Sequence, residues 1–175
     1  LYPCSEMEQT EKHIVITGQM AVGKTTAADQ VAARLRRAHH DSDEDIERAT
    51  GRTGREIAAT DGVATLHRLE AEVLLSALGQ DEPAVISAAA STIEHGQCRK
   101  LMQERAFVVV LVAAPVTLRS RALSADHRRD IPIEEFESLI ARREGLFTQA
   151  ADVTVSAEQS PAGVADAIVA AYRER

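Results

Sequence analysis

The octapeptide GQMAVGKT, Gly18 to Thr25, matches the pattern G-x-x-x-x-G-K-[ST] in full. The pattern is chemical before it is structural. Two glycines let a backbone wrap so that successive N–H groups face phosphate oxygens, and a following helix N-terminus adds positive potential. Lys24 would reach the β- and γ-phosphates, and the Thr25 hydroxyl is a ligand for Mg²⁺. The loop Gly18–Thr26, with Ala21, Val22 and Thr26 among its phosphate-facing positions, therefore reads as a site for Mg²⁺ and a nucleoside triphosphate.

A second group of chemically capable residues lies in HHDSDEDIE, His39 to Glu47. Asp41 and Asp43 stand where a short strand would end, beside the phosphate loop, which is where ligands gather in doubly wound sheets. One carboxylate can hold Mg²⁺ through water, and the other can orient or deprotonate an acceptor hydroxyl. Glu44, Asp45 and Glu47 need no such role, because acids offset the dipole at a helix start. His39 and His40 read as packing or surface residues, with no further ligands converging on them.

Other NTPase classes fit poorly. The chain contains no asparagine, so the Asn-Lys-x-Asp loop of guanine-specific proteins is missing. Motor-type ATPases place an acid at the end of an apolar strand. Here the candidate strands AVIS (84–87) and AFVVVLVA (106–113) end in Ser87 and Ala113.

The elements that must position these residues follow from hydrophobic patterning. Strands are expected at His13–Thr17, Ala38–Asp41, Ala84–Ala88, Ala106–Ala113 and Asp152–Val155. Helices are expected at Gly23–Arg37, Asp43–Thr50, Thr53–Ala59, Gly62–Leu78, Glu94–Glu104, Val116–Leu123, Ile133–Leu146 and Pro161–Arg173. Alternating strands and helices imply a parallel sheet covered on both faces. Residues 1–11 read as a polar tail, with Met7 a candidate native start after vector-derived residues. Residues 12–175 read as one domain.

Composition agrees. The chain has 175 residues, 45% of them hydrophobic and 3% aromatic, with a net charge of -7. That length suits one domain. The acidic balance argues against nonspecific nucleic-acid binding, and no run approaches the ~20 apolar residues that a membrane helix needs. Two cysteines, Cys4 and Cys98, form no disulfide framework, and Cys98 reads as a small apolar helix residue. The expected setting is cytoplasmic.

With these residues in place, the chain resembles the shikimate kinase family of small P-loop kinases from about His13 to Tyr172. The resemblance is carried by GQMAVGKTT, DSDEDIERATGRTGREI, DGVATLHRLEAEVL and ARREGLFTQAADVTV. It implies a single-domain α/β kinase with a five-stranded parallel sheet of order 2-3-1-4-5. A mobile lid would span about 124–132, and ATP and Mg²⁺ would serve as donor and cofactor. Asp41 resembles the magnesium-side aspartate, and Asp43 the base that contacts the acceptor hydroxyl. Arg143 resembles an arginine that binds the substrate carboxylate. Arg128 or Arg129 resembles the lid arginine, while Arg121 and Pro161 resemble residues flanking the adenine.

Two departures touch the acceptor. The family's Phe-Arg-x-x-Glu is here Leu66, His67 and Glu70, so a second arginine is replaced by His67 unless Arg68 turns in. The family's three glycines fall at Ala89, Ala90 and Ser91. The sequence VISAAAS and the lid-loop His127 also lean, more weakly, towards gluconate kinases. The implied activity is phosphoryl transfer from ATP to a hydroxyl of a small anionic metabolite. The alternatives are a sugar acid or polyol acceptor, or a nucleotide-binding regulatory protein without transferase activity. The resemblance is compatible with a monomer or weak dimer, with no nucleic-acid or membrane partner.

Overall fold

β-Branched and apolar runs form the sheet, and the helices between them cover it. The computed structural model describes residues 11–124 and 131–175. In chain order the elements are β1 (His13–Gly18), α1 (Lys24–Leu35), β2 (His39–Asp41), α2 (Ser42–Thr50), α3 (Gly54–Asp61) and α4 (Val63–Leu78). They continue with β3 (Val85–Ser87), α5 (Gly96–Arg105), β4 (Ala106–Val112), α6 (Pro115–Leu123), α7 (Ile133–Ala150), β5 (Val153–Ser156) and α8 (Pro161–Arg173). The strand order is β2-β3-β1-β4-β5, and each pairing is parallel. This is the order that the resemblance implies.

Period-two alternation along β1 feeds two cores. Ile14 and Ile16 pack with Val31, Val109, Ile168 and Tyr172 under α1 and α8. Val15 points to the other face, with Leu74, Met102, Val108 and Phe147 under α4, α5 and α7. Both faces of the interior strands are therefore dry, which is why they read as continuous apolar runs. With few aromatics, the packing rests on Ala, Val, Leu and Ile, and the Phe107–Tyr172 edge contact at 5.6 Å is one of its larger pieces. Cys98 is buried in the second core, and burial pushes its thiol up to about 11, as suits a packing residue.

Boundaries differ from the sequence reading in two informative places. A 3₁₀ turn, Ala90–Glu94, precedes α5, so Glu94 closes this turn instead of opening the helix. Helix α7 runs on to Ala150, because Phe147 and Ala150 are buried against the sheet. The tail residues 1–10 and lid residues 125–130 lie outside the described residues, and with them the lid candidates Arg128 and Arg129.

Gly18 has φ of 143°, and a Cβ built there would lie 2.5 Å from the carbonyl oxygen of Leu111 on β4. Both the backbone angle and the interstrand contact forbid a side chain. Gly18→Ala is expected to cost about 3 kcal/mol and to lower Tm by roughly 5–10 °C in a thermal melt. An unchanged Tm would show that β1 and β4 can separate without penalty.

Candidate active site

Strand β1 stops at Gly18 because the chain must turn out of the sheet. Gly18, Ala21 (φ 69°) and Gly23 (φ 102°) all adopt positive φ and wrap the loop back to start α1. Gly23 caps α1 with no side-chain hydrogen bond. The first-turn N–H groups of this helix are therefore left for an anion, not spent on a cap. Lys24 Nζ donates to the carbonyl oxygens of Gly18 and Gln19, at 3.2 and 3.0 Å, and so arches over the loop. Gln19 Nε2 donates to Ile140 O at 2.9 Å and ties the loop to α7.

The structure brings Thr25 and Asp41 together. β2 pairs with β3 so that Asp41 lies opposite Ser87. Asp41 Oδ2 accepts from Thr25 Oγ1 at 2.8 Å and from Ser87 Oγ at 2.6 Å. Its Oδ1 caps α2, accepting from the N–H groups of Asp43 (2.9 Å) and Glu44 (3.3 Å). Burial pushes the Asp41 carboxyl up, but these four donors outweigh it and hold the pKa below the usual range. A permanently ionised carboxylate against a threonine hydroxyl is a hard oxygen donor set that fits Mg²⁺. Among the described residues no group of three or more His, Cys, Asp or Glu side chains gathers as a metal cluster. Hydroxyl, carboxylate and phosphate would therefore share the ion.

Asp43 is exposed on the first turn of α2. Glu70 on α4 is buried and bonded to Ser91 through a short hydrogen bond. Burial pushes the Glu70 carboxyl up to about 7; the Ser91 bond opposes this, the charge of Asp43 adds to it, and Arg143 and Lys24 oppose it. These mutual influences place Asp43, Glu70, Arg143 and Lys24 in one electrostatic cluster.

Arg143, on α7, is 2% exposed. Its Nη2 donates to Glu94 Oε2 at 3.2 Å, and Arg142 binds the other oxygen of the same carboxylate. Burial pushes the Glu94 carboxyl up, but the two arginines prevail and lower it. Among the described residues Arg143 Nε is buried without a hydrogen-bond partner, so this donor of the guanidinium is left for something else.

Some sequence expectations separate here. Arg68 does not turn in: it is exposed and paired with Glu72 at 2.6 Å, four residues on along the outer face of α4. His67 is half-buried on that helix, and Ala89 and Ala90 form the entrance to the 3₁₀ turn. Arg121 donates to Val22 O (3.2 Å) and Ala157 O (3.0 Å), bridging the phosphate loop to the segment before Pro161. Glu94 was not singled out from the sequence, and His39, read there as a packing or surface residue, has a ring that contacts both Asp29 and Ser87. Strand register is the signal that could have found His39, since it lies two residues before Asp41 on the same face.

Comparison with known proteins agrees with this geometry. The family profile described as shikimate kinase matches residues 20–173. A shikimate kinase of Symbiobacterium thermophilum is 33% identical over 153 residues, covering 84% of this chain and 87% of that protein. Shikimate kinase 2 of Sodalis glossinidius is 32% identical, covering 90% of this chain and 94% of its own. The structure of Acinetobacter baumannii shikimate kinase in complex with shikimate superposes with a TM-score of 0.85 at 25% identity, over 92% of each chain. A gluconokinase of Sinorhizobium meliloti shares the fold alone, with a TM-score of 0.53 at 17% identity over 95% of this chain and 94% of its own. The chain therefore belongs to the shikimate kinase family, and is an ATP-dependent phosphotransferase acting on a hydroxyl group.

Proposed function

We propose that the acceptor is a small hydroxylated carboxylic acid, with shikimate the first candidate, and that Mg²⁺ is the required ion. The observation that carries the reading is Arg143: a buried guanidinium with an unpartnered Nε, in one charged cluster with Asp43 and Lys24. A buried cation beside a base and a phosphate-binding lysine suits an anionic acceptor whose hydroxyl must be aimed at a γ-phosphate. Protein groups need only position and stabilise charge in such a transfer.

In this reading ATP lies on Gly18–Thr26, with its adenine towards Arg121 and Pro161. Thr25 and Asp41 hold Mg²⁺, which when bound neutralises charge on the phosphates. Asp43 takes the proton of the acceptor hydroxyl as its oxygen forms the new bond to the γ-phosphorus. The bond from that phosphorus to the β-phosphate oxygen breaks, and ADP keeps the electron pair. Lys24 stabilises charge on the transferring group. Arg143, released in part from Glu94, holds the acceptor carboxylate. His67, Ala89 and Ala90 line the acceptor side.

A sugar acid such as gluconate is the second reading. It is favoured by Ala89 and Ala90 in place of glycines and by His67 in place of an arginine, both of which change the shape of the acceptor pocket. Acceptor-dependent ADP release over a panel with shikimate and gluconate separates the two readings. Stimulation by neither, with ATP still bound, would identify a nucleotide-binding protein without transferase activity.

Three outcomes are expected. Lys24→Ala should lower kcat by at least about 10²-fold; an unchanged rate would sink the mechanism. Arg143→Leu should raise the acceptor KM by more than about tenfold while leaving the ATP KM unchanged. The Glu70 carboxyl, raised to about 7, binds its proton more tightly in the folded state than in the unfolded chain. Its stabilising contribution is present below about 4.5, the ordinary carboxyl value, and is lost as pH rises through about 7. Glu70→Gln should therefore gain stability relative to the parent between these limits, read as a Tm difference that grows with pH. A difference independent of pH would show that Glu70 is not titrating in that window.

A further inference from the structure

The carboxylate on the metal side is held by more than its two nearest hydroxyls. Ser87 ends β3, 3% exposed, and Asp41 ends β2 beside it. Ser87 Oγ carries one proton, and the 2.6 Å contact to Asp41 Oδ2 uses it, because a carboxylate can only accept. Ser87 Oγ must therefore accept at its other close contact, His39 Nε2, 3.0 Å away. The opposite ring nitrogen, His39 Nδ1, lies 2.7 Å from Asp29 Oδ1 on α1; a carboxylate can only accept, so the ring donates from both nitrogens, and the Asp29 contact fixes its orientation. The result is a continuous path from Asp29 through His39, Ser87 and Asp41 to Thr25. It leaves α1, crosses β2 and β3, and returns to the first turn of α1.

A serine hydroxyl rotates freely unless a donor holds its lone pairs. His39 is that donor. Outer partners of this kind orient metal-binding groups and set their affinity. Packing alone would have been served by an aliphatic side chain at position 39, with neither contact made.

We propose that His39, backed by Asp29, is a positioning residue for the magnesium-side carboxylate: it locks the Ser87 hydroxyl onto Asp41 and thereby raises affinity for the metal-bound nucleotide. The inference rests on the reading that Asp41 and Thr25 hold Mg²⁺. It requires no contact between His39 and nucleotide, metal or acceptor.

The test is calorimetric titration with AMP-PNP, in Mg²⁺ and in EDTA, on the full chain. His39→Leu should weaken binding in Mg²⁺ by about tenfold and leave binding in EDTA unchanged. His39→Gln, which keeps an N–H donor for Ser87, should recover most of that loss. Asp29→Asn, at an exposed position, should give a smaller loss confined to Mg²⁺, and it carries the test if His39→Leu fails to fold. Equal losses in Mg²⁺ and EDTA, or no loss in either, would overturn the proposal, as would His39→Gln behaving like His39→Leu. Asp41→Asn separates the layers. If Asp41→Asn loses the Mg²⁺-dependent affinity and neither His39→Leu nor Asp29→Asn does, only His39 is misassigned. If Asp41→Asn also keeps it, the metal reading falls and this proposal with it.

Discussion

The active-site end of the sheet depends on the hydrogen-bonded carboxylate of Asp41. It is the last residue of β2, the cap of α2, the partner of Ser87 on β3 and the acceptor for Thr25 on α1. A buried anion is costly unless donors surround it, and here four donors from three other elements do so. The same arrangement that relieves the cost of burial also aligns the elements. α2 starts where the carboxylate can cap it, which puts Asp43 in its first turn. The phosphate loop is tied to the same group because Thr25, at the start of α1, is bonded to it. Structure and chemistry thus share one set of bonds, and the strand end can do without a carboxylate of its own at Ser87.

Much of this was legible in the sequence, for physical reasons that differ by element. The loop was legible because positive φ demands glycine at Gly18 and Gly23 and because phosphate chemistry demands Lys24 and Thr25. The interior strands were legible because burial on both faces favours apolar residues at Val85, Ile86 and from Ala106 to Leu111. Asp41 and Asp43 were legible by their distance from the loop. What stayed hidden depends on contacts between segments far apart in the chain. Glu94 meets Arg143 across 49 residues, and Ser87 meets His39 across 48. No local periodicity encodes such pairs. Arg68 illustrates the converse error: proximity in sequence suggested a rescue for His67, but one residue on a helix is a rotation of about 100°, and Arg68 faces solvent.

The two halves of the site are built on different principles. The nucleotide half uses backbone: N–H groups of a glycine loop and an uncapped helix start, which tolerate change in most side chains. The acceptor half uses side chains, where each substitution alters charge or shape directly. Its charges act on one another: Asp43, Arg143 and Lys24 on Glu70, and Arg142 and Arg143 on Glu94. At Glu70 burial raises the proton affinity of the carboxyl, and Arg143 and Lys24 oppose the rise.

These interactions bear on how Arg143 could serve an acceptor. In the free protein its Nη2 is already engaged by Glu94, which Arg142 shares from the surface. Under the proposed reading, an acceptor carboxylate would either displace Glu94 or bind beside it through a remaining donor such as Nε. Displacement is feasible because Arg142, an exposed residue, can retain Glu94 on its own; the anion would not be stranded in the interior. The exchange replaces one buried ion pair by another, so its net free energy is the small difference of two large terms. Under the proposed acceptor reading, small changes of shape at Ala89, Ala90 and His67 would then be enough to decide which acid is taken, because the charge of Arg143 serves any carboxylate alike.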